Sequence, residues 1–81
     1  MGCSKSEKVY VLRTTYPNGH VSFEGKGLHR ISPDDAWDIK EYAYRSLAGA
    51  LSGKRSAERI REKWGFVGFV VDVVSTTIIY A

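Results

Sequence analysis

Cysteine and proline are both scarce in this chain. One cysteine, Cys3, and two prolines occur in 81 residues. A single cysteine excludes an internal disulfide framework and any cysteine-based metal cluster, so folding needs no oxidising compartment. Residues 1–20 also lack the apolar segment of a secretory signal peptide. From these absences we expect a cytoplasmic protein.

The chain also lacks a long uncharged stretch. Its most apolar segment is too short to cross a membrane. The last 17 residues, GFVGFVVDVVSTTIIYA, carry one charge, Asp72. A spanning helix needs about 20 apolar residues, whereas Val, Ile and Thr favour β-structure. One straight strand of this length would reach about 50 Å. We therefore predict a β-strand that bends near Asp72 or Ser75, or that extends onto another molecule, and no membrane span.

The chain also lacks a complete motif for binding phosphate, metal or a cofactor. The segments GKG at 25–27 and SGKRS at 52–56 do not have the spacing of a P-loop. His20 and His29 have no cysteine near them and no marked further ligands, so they do not indicate a zinc site. We predict neither a cofactor nor a metal centre.

One short polar pattern is compatible with catalysis. His20, Ser22 and Glu24 alternate along a predicted strand, but a spacing of about 7 Å is loose for a hydrogen-bonded triad. Solvent-facing polar side chains explain the same pattern. We therefore expect no enzyme activity, and a small nuclease that uses His20 and His29 as acid and base is the remotest function considered.

The N-terminal third has the pattern of a β-hairpin. Residues 8–16 are rich in β-branched and aromatic side chains, and Pro17-Asn18-Gly19 is a typical tight turn. Residues 21–24 then return with alternating apolar and polar side chains. The segment therefore predicts two antiparallel strands.

The polar N-terminus predicts a disordered tail over residues 1–7. Gly2 and Ser6 also match the pattern for N-myristoylation. A frayed polar terminus is the simpler explanation of the same residues.

Residues 32–64 have helical periodicity with one predicted break. Ser32 is a suitable N-cap, and Pro33 is a suitable first helical residue. Apolar side chains then recur at helical spacing, at Ala36, Ile39, Ala43, Leu47 and Ala50. One unbroken helix to Trp64 would be about 48 Å long, too long for a domain of this size. We predict a break at Ser52–Gly53.

Together these segments predict one α+β domain over residues 1–81. Its order is ββα(α)β: an N-terminal β-hairpin, one long or two shorter helices and one or more C-terminal strands, with an antiparallel sheet and helices on one face. The terminal run is apolar at even as well as odd positions. A sheet covered on one face should be polar on the other, so we also predict a homodimer, formed through that face or through residues 76–80.

The net positive charge is concentrated in one short segment. Residues 54–63 hold five cations and two acidic residues, whereas the rest of the chain holds seven of each. The cations are Lys54, Arg55, Arg59, Arg61 and Lys63. On a helix they would suit nucleic-acid phosphates or an acidic protein patch, although a solvated helix face explains them as well. Tyr42 lies off the apolar stripe and is a candidate interface anchor.

These features favour two functions of different classes. The first is a small non-catalytic module that binds a larger protein or ribonucleoprotein through Tyr42 and the basic segment 54–63. Inhibitors of host defence or transcription machines that phages encode are comparable in size and layout. The alternative is a nucleic-acid-binding protein that uses the same basic segment, but a net charge of +3 supports only weak, non-specific contact. We therefore prefer the protein-binding module.

Overall fold

The computed structural model describes residues 5–80 and shows an antiparallel sheet with two helices. The strands are β1 (Lys5–Thr15), β2 (Val21–Glu24), β3 (Arg30–Ile31) and β4 (Val70–Tyr80), and the helices are α1 (Ala36–Tyr42) and α2 (Leu47–Lys63). A short 3-10 turn, Lys26–Leu28, lies between β2 and β3. The strand order across the sheet is β3-β2-β1-β4. The predicted α+β class, with its N-terminal hairpin and C-terminal strand, is confirmed.

Strands β1 and β4 form a long antiparallel ribbon. They pair continuously from Lys5 opposite Tyr80 to Thr15 opposite Val70. The first residues of β1 were predicted to belong to a disordered tail over residues 1–7, but this pairing places residues 5–7 in the sheet. The myristoylation pattern begins at residue 2, outside the described residues.

Strand β4 is shorter than the sequence predicted. It begins at Val70, so residues 66–69 precede the strand instead of forming its first part. Eleven residues reach only about 37 Å at 3.4 Å per residue. The strand pairs without interruption and needs no bend at Asp72 or Ser75.

The hairpin turn between β1 and β2 has the predicted sequence and geometry. Gly19 has φ +86°, and its N–H donates to the Tyr16 carbonyl at 2.9 Å. Asn18 Oδ1 accepts a hydrogen bond from the backbone N–H of His20 at 2.9 Å. Glycine adopts this left-handed conformation without steric cost, which explains its place in the turn.

Each helix begins at a polar capping residue. Asp35 caps α1 by accepting two backbone N–H groups, so α1 begins three residues after the predicted first helical residue, Pro33. Ser46 caps α2 by accepting the N–H of Gly49. Within residues 5–80, neither helix is long and apolar enough to span a membrane.

The two helices are separated at residues 43–46 and not at the predicted Ser52–Gly53. In this connection Tyr44 forms a β-bridge with Tyr10 of β1, with both backbone hydrogen bonds at 2.8 Å. The bridge satisfies backbone groups that a continuous helix would have satisfied internally. The helix therefore breaks where the chain meets the sheet.

Gly53 lies inside α2 because a larger residue would not fit there. A Cβ atom on Gly53 would overlap the hydroxyl group of Tyr44. Glycine costs about 1 kcal/mol relative to alanine within a helix. Here it allows α2 to lie close to Tyr44, so its role is packing and not helix termination.

The helices pack on opposite faces of the sheet and not together on one face. Val11 of β1 belongs to a buried cluster with Ile39 of α1. The next residue, Leu12, belongs to a second buried cluster with Ala57 of α2. Successive strand residues point to opposite faces, so the two clusters lie on opposite sides of the sheet. The chain changes face at Tyr44, where it bridges to the side of β1 that faces away from β4.

We call these two sides the α1 face and the α2 face. The buried residues of the α1 face are Val9, Val11, Ile31, Ile39, Ala43 and Ile78. On the α2 face, Leu12, Ala57 and Val71 form the apolar cluster. Helix α1 covers Ile78, and Val74 packs against the same cluster, whereas Val70 at the start of β4 is 56% exposed. The α1 face of β4 is therefore covered over part of its length and is not the fully bare face from which the dimer was predicted.

The polar residues of β2 are turned inward, contrary to the prediction that they face solvent. Ser22 and Glu24 are buried, whereas Val21 is exposed. Glu24 lies opposite Leu12 in the sheet and therefore shares its face. Helix α2 covers that face and supplies the charged partner of Glu24, as described below.

Candidate protein-binding surface

Helix α2 ends in a capping motif that positions the residues after it. Gly65 has φ +85°, and its N–H donates to the Glu62 carbonyl at 3.0 Å. The N–H of Phe66 donates to the Arg61 carbonyl, also at 3.0 Å. These two bonds form a Schellman motif, in which a left-handed glycine is favoured. The segment after α2 is thus held by backbone hydrogen bonds.

Three apolar side chains of this segment stand at the surface. Trp64 is 72% exposed and Val67 is 81% exposed, and Phe66 is exposed as well. The Phe66 ring centre lies 5.9 Å from that of Tyr16, at the end of the hairpin. Phe66, Val67, Tyr16 and Pro17 line one open cavity of about 460 Å³. We call Trp64, Phe66, Val67, Tyr16 and Pro17 the turn-end surface.

A buried ion pair ties α2 to the sheet behind this surface. Arg61 Nη2 donates to Glu24 Oε1 of β2, and Arg61 Nε donates to Tyr16 Oη at 3.2 Å. Thr14 Oγ1 also donates to Glu24 Oε1, at 3.5 Å. The side chains of Arg61 and Glu24 are only 9% and 11% exposed. One guanidinium thus joins α2 to β2 and to Tyr16 of the turn-end surface.

The pair of Arg61 and Glu24 stabilises the charged form of Arg61 and affects the pKa of the nearby Tyr44 hydroxyl group. Burial by itself lowers the pKa of Arg61, but the hydrogen bond to Tyr16 and the charge of Glu24 outweigh it, so the pKa is raised. Burial, followed by the negative charge of Glu24, also raises the pKa of Tyr44. Glu24 contributes to both shifts, because its charge lies under α2 and away from bulk water.

A cavity of about 500 Å³ lies beside the ion pair, between α2 and the 3-10 turn. Its lining includes the apolar side chains of Leu28, Ile60, Trp64 and Phe66. Arg30, which is exposed, adds a positive charge to the lining. Anchors of protein interfaces commonly insert into pockets with apolar walls. The cavity is therefore suited to a partner that inserts an apolar side chain and has a negatively charged group beside it.

Two of the five predicted basic residues are engaged within the protein. Arg61 is buried in the pair with Glu24. Lys54 Nζ lies 3.2 Å from Glu58 Oε2, one helical turn further along α2. These two cations are compensated internally, which reduces the charge that the segment 54–63 can present to a partner.

The other three cations form a stripe along α2. Arg55, Arg59 and Lys63 are all exposed. They follow one another at intervals of four residues, so they lie on one side of the helix, about 6 Å apart. The stripe ends beside Trp64, the next residue along the chain. We call these three residues the basic stripe.

Tyr42, the predicted interface anchor, is not near the basic stripe. It lies at the end of α1, half-buried against the apolar cluster of the α1 face. Its ring stacks on His29 with ring centres 3.9 Å apart, and Trp37 contacts it edge-on at 6.2 Å. The structure thus places Tyr42 and the basic stripe on opposite faces of the sheet.

The polar residues considered for catalysis are not brought together. His20 lies in the exposed hairpin turn, Glu24 is bound by Arg61, and the buried hydroxyl of Ser22 has no hydrogen-bond partner. In the part of the chain that the structure describes, no three His, Cys, Asp or Glu side chains are grouped to hold a metal ion.

Sequence analysis missed the turn-end surface because it assigned residues 66 and 67 to a strand. The signal that could have identified it is a pair of glycines three residues apart. Gly65 and Gly68 have φ values of +85° and +73°; Gly65 follows the end of α2, and Gly68 precedes the start of β4. Two glycines this close indicate a loop more strongly than the surrounding valines indicate a strand.

Comparisons with known proteins identify no relative of this chain. No family model matches the sequence, and no curated protein or solved structure is significantly similar to it. Function is therefore inferred from the surfaces described above.

Proposed function

We propose that the protein is a small non-catalytic module that binds a larger protein or ribonucleoprotein through the turn-end surface. The observation that carries the proposal is the exposure of Trp64 and Val67 on a segment fixed by a Schellman motif. A large aromatic side chain on a rigid backbone loses little conformational entropy on binding. Exposed Trp is also among the residue types that contribute most to protein interfaces.

The charges around the surface define the partner that would fit it. Arg59 and Lys63 of the basic stripe precede Trp64 on α2, and Arg30 lines the adjacent cavity. A partner with an apolar anchor flanked by carboxylates would match both features. Exposed cations of this kind mainly accelerate association, whereas the buried aromatic determines the affinity.

This mode of action is that of an inhibitor that blocks a larger machine. A small module without a catalytic site would act by covering a functional surface of its partner, as the inhibitors of host defence or transcription that phages encode do. We place it in the cytoplasm, because its single cysteine shows no need of an oxidising compartment. We also propose that the module is a homodimer, since Ile79 of β4 is 72% exposed next to an edge with which no other described strand pairs.

The proposal is tested by capture of a partner from host-cell lysate with two matched variants. Trp64→Ser should abolish capture, whereas Trp37→Ser should not, because Trp37 is 64% exposed but lies on α1. Reversal of Arg59 and Lys63 to Glu should slow association in a binding assay with the captured partner. Equal capture by the two Trp variants would contradict the assignment to the turn-end surface.

Nucleic-acid binding is the second candidate, favoured by the basic stripe. Arg55, Arg59 and Lys63 are exposed along about 12 Å of helix, and Trp64 could stack on a base. Three phosphate contacts give a log–log salt dependence of about −2.7 on duplex DNA. We expect binding weaker than micromolar at physiological salt. Titration of the purified protein with duplex and single-stranded nucleic acid distinguishes the two candidates, because tight binding without any protein partner is expected only if nucleic acid is the ligand.

A further inference from the structure

Strand β4 presents a long unpaired edge. It pairs with β1 on one side, and no described strand pairs with its other side. The backbone groups of Tyr10 point away from β4, because they bond to Tyr44. In an antiparallel ladder this orientation alternates along β1, so the odd residues of β1 bond to the even residues of β4. The odd residues of β4, from Val71 to Ile79, therefore direct their N–H and C=O groups outward.

This edge lacks the features that normally prevent strand pairing. Residues 70–80 contain no proline, no lysine and one charge, Asp72. The Asp72 carboxylate lies 3.5 Å from the Arg13 guanidinium on the α1 face. Its side chain therefore points out of the plane of the sheet, whereas a further strand would be added within that plane. The strand has no bulge, because its register against β1 is continuous. An unguarded edge of eleven residues is a template for another strand.

The space beside this edge is also open. A cavity of about 320 Å³ lies between residues 76–79 of β4 and the start of α1, where Pro33 and Asp34 line it. The side chain of Ile79 is 72% exposed. An added strand would fill part of the cavity and cover this side chain.

We propose that a second copy of this chain occupies the edge, with the two β4 strands paired antiparallel about a two-fold axis at Ser75. This proposal rests on the homodimer proposed above and specifies its interface. A two-fold axis makes the paired edges antiparallel and self-complementary. The result is a continuous eight-stranded sheet in which the two β4 strands are central.

The register at Ser75 follows from the length and the charge of the strand. Ser75 is the midpoint of Val70–Tyr80, so this register pairs all eleven residues and forms about ten hydrogen bonds from the odd positions. A shift of the axis to Val74 would leave two residues of each strand unpaired and form about eight. An axis at Asp72 would place two carboxylates opposite each other, which is destabilising.

The side chains that become neighbours in this register are also complementary. Ile79 would lie opposite Val71 of the second copy. Val71 is buried in the apolar cluster of the α2 face with Leu12 and Ala57. The exposed Ile79 of each copy would thus extend the apolar cluster of the other. Ile79 is the most exposed apolar side chain of β4. The second copy covers it only in a register that pairs the two strands along their whole length.

The first experiment removes one outward N–H group. Light scattering and sedimentation at micromolar concentration should give twice the 9.1 kDa chain mass for the wild type. Ser75→Pro should give a folded monomer, because proline is tolerated at an edge position whose N–H does not bond to the neighbouring strand. Ser75→Ala, which keeps the N–H, should remain a dimer. A wild-type monomer at 200 µM, or a dimer of Ser75→Pro, would overturn the proposal.

The second experiment tests the register and does not depend on the folding of the proline variant. In a Cys3→Ser background, Ser75→Cys should form an intermolecular disulfide under mild oxidation, because directly opposed residues lie within about 6 Å. Thr77→Cys is the matched control on the same exposed edge. It should not cross-link, because it lies four residues, about 14 Å, from its symmetry mate. Cross-linking of Thr77→Cys in preference to Ser75→Cys would overturn the register.

The two proposals can fail separately. Ser75 lies on β4 away from the turn-end surface, so the Ser75→Pro monomer should still capture the partner in a Trp64-dependent manner. If Ser75→Pro is monomeric but still captures the partner, the result supports the β4 edge as the dimer interface and shows that the binding surface is intact. Capture lost in Trp64→Ser with the dimer retained supports both. A monomeric wild type that still captures its partner overturns the edge proposal alone.

Discussion

The two faces of the sheet are stabilised in different ways. The α1 face is closed by six buried apolar side chains, and its ion pair, Arg13–Asp72, is 43% and 47% exposed. The α2 face has a buried apolar cluster of three side chains and buries Arg61 together with Glu24. Helix α1 is thus positioned chiefly by hydrophobic contact, whereas the position of α2 also depends on a buried charged network.

The difference shows how a short chain can position a helix with few apolar contacts. A hydrophobic contact is not directional, so it tolerates sliding of one element over another. A guanidinium that bonds at once to Glu24, Tyr16 and the Ala57 carbonyl has one geometry. The network therefore fixes the position of α2 over the sheet, and with it the place where the turn-end surface is displayed.

The largest effect is expected from Glu24→Ala. This change leaves Arg61 charged and buried without its partner, which costs about 3–5 kcal/mol. Chemical denaturation monitored by circular dichroism measures the loss. The control is Glu24→Leu combined with Arg61→Met, which removes both charges and should recover most of the stability. A double variant as unstable as Glu24→Ala would mean that packing, and not the unpaired charge, causes the loss.

Gly53→Ala should be the next most harmful change. An exposed glycine in a helix gains about 1 kcal/mol from this substitution, but here the new Cβ overlaps Tyr44, and overpacking costs about 1–3 kcal/mol. Thermal melting measures the net loss. Ser52→Ala, one residue earlier on the exposed side of α2, should be neutral or slightly stabilising. A stabilised Gly53→Ala would show that α2 does not lie against Tyr44.

Removal of the exposed ion pair should have a small effect. Asp72→Asn breaks the contact with Arg13 on the α1 face, where both side chains are about half exposed. Pairs of this kind contribute about 0–1 kcal/mol. Denaturation at low and high salt measures the loss of stability. A loss close to that of Glu24→Ala would contradict the difference between the two faces.

The smallest effect is expected at alkaline pH and concerns Tyr44. Its pKa is raised in the folded state by burial and by Glu24, so the folded protein holds this proton more tightly than the unfolded chain. The resulting stabilisation is full below the ordinary tyrosine pKa and declines as pH rises through the higher folded value. Ultraviolet titration should show one late-titrating phenol. Tyr44→Phe should remove it, and a late phenol that persists in this variant would contradict the assignment.

Local patterns in the sequence were sufficient for the elements whose structure depends on neighbouring residues. The Pro17-Asn18-Gly19 turn and the β character of residues 70–80 both follow from local conformational preferences. Those preferences act within a few residues, so they are visible without the fold. The α+β class followed from the order of these elements.

The environments of Arg61 and Gly53 could not be predicted, because they depend on contacts with residues that are distant in sequence. Arg61 resembled four other cations of its segment until Glu24, 37 residues away, was placed beneath it. Gly53 resembled a helix break until Tyr44 was placed against it. The candidate site was missed for the same reason, since only the capped end of α2 shows that Trp64 and Val67 face solvent.

The sequence by itself determined the types and order of the longer elements, because backbone preferences and side-chain periodicity act locally. Only the tertiary structure decided that α1 and α2 lie on opposite faces and that β4 is an edge strand. Both outcomes depend on the bridge between Tyr44 and Tyr10, which carries the chain past the side of β1 and leaves the other side to β4. No local pattern specifies that pairing, since any strand offers the same backbone groups along either edge.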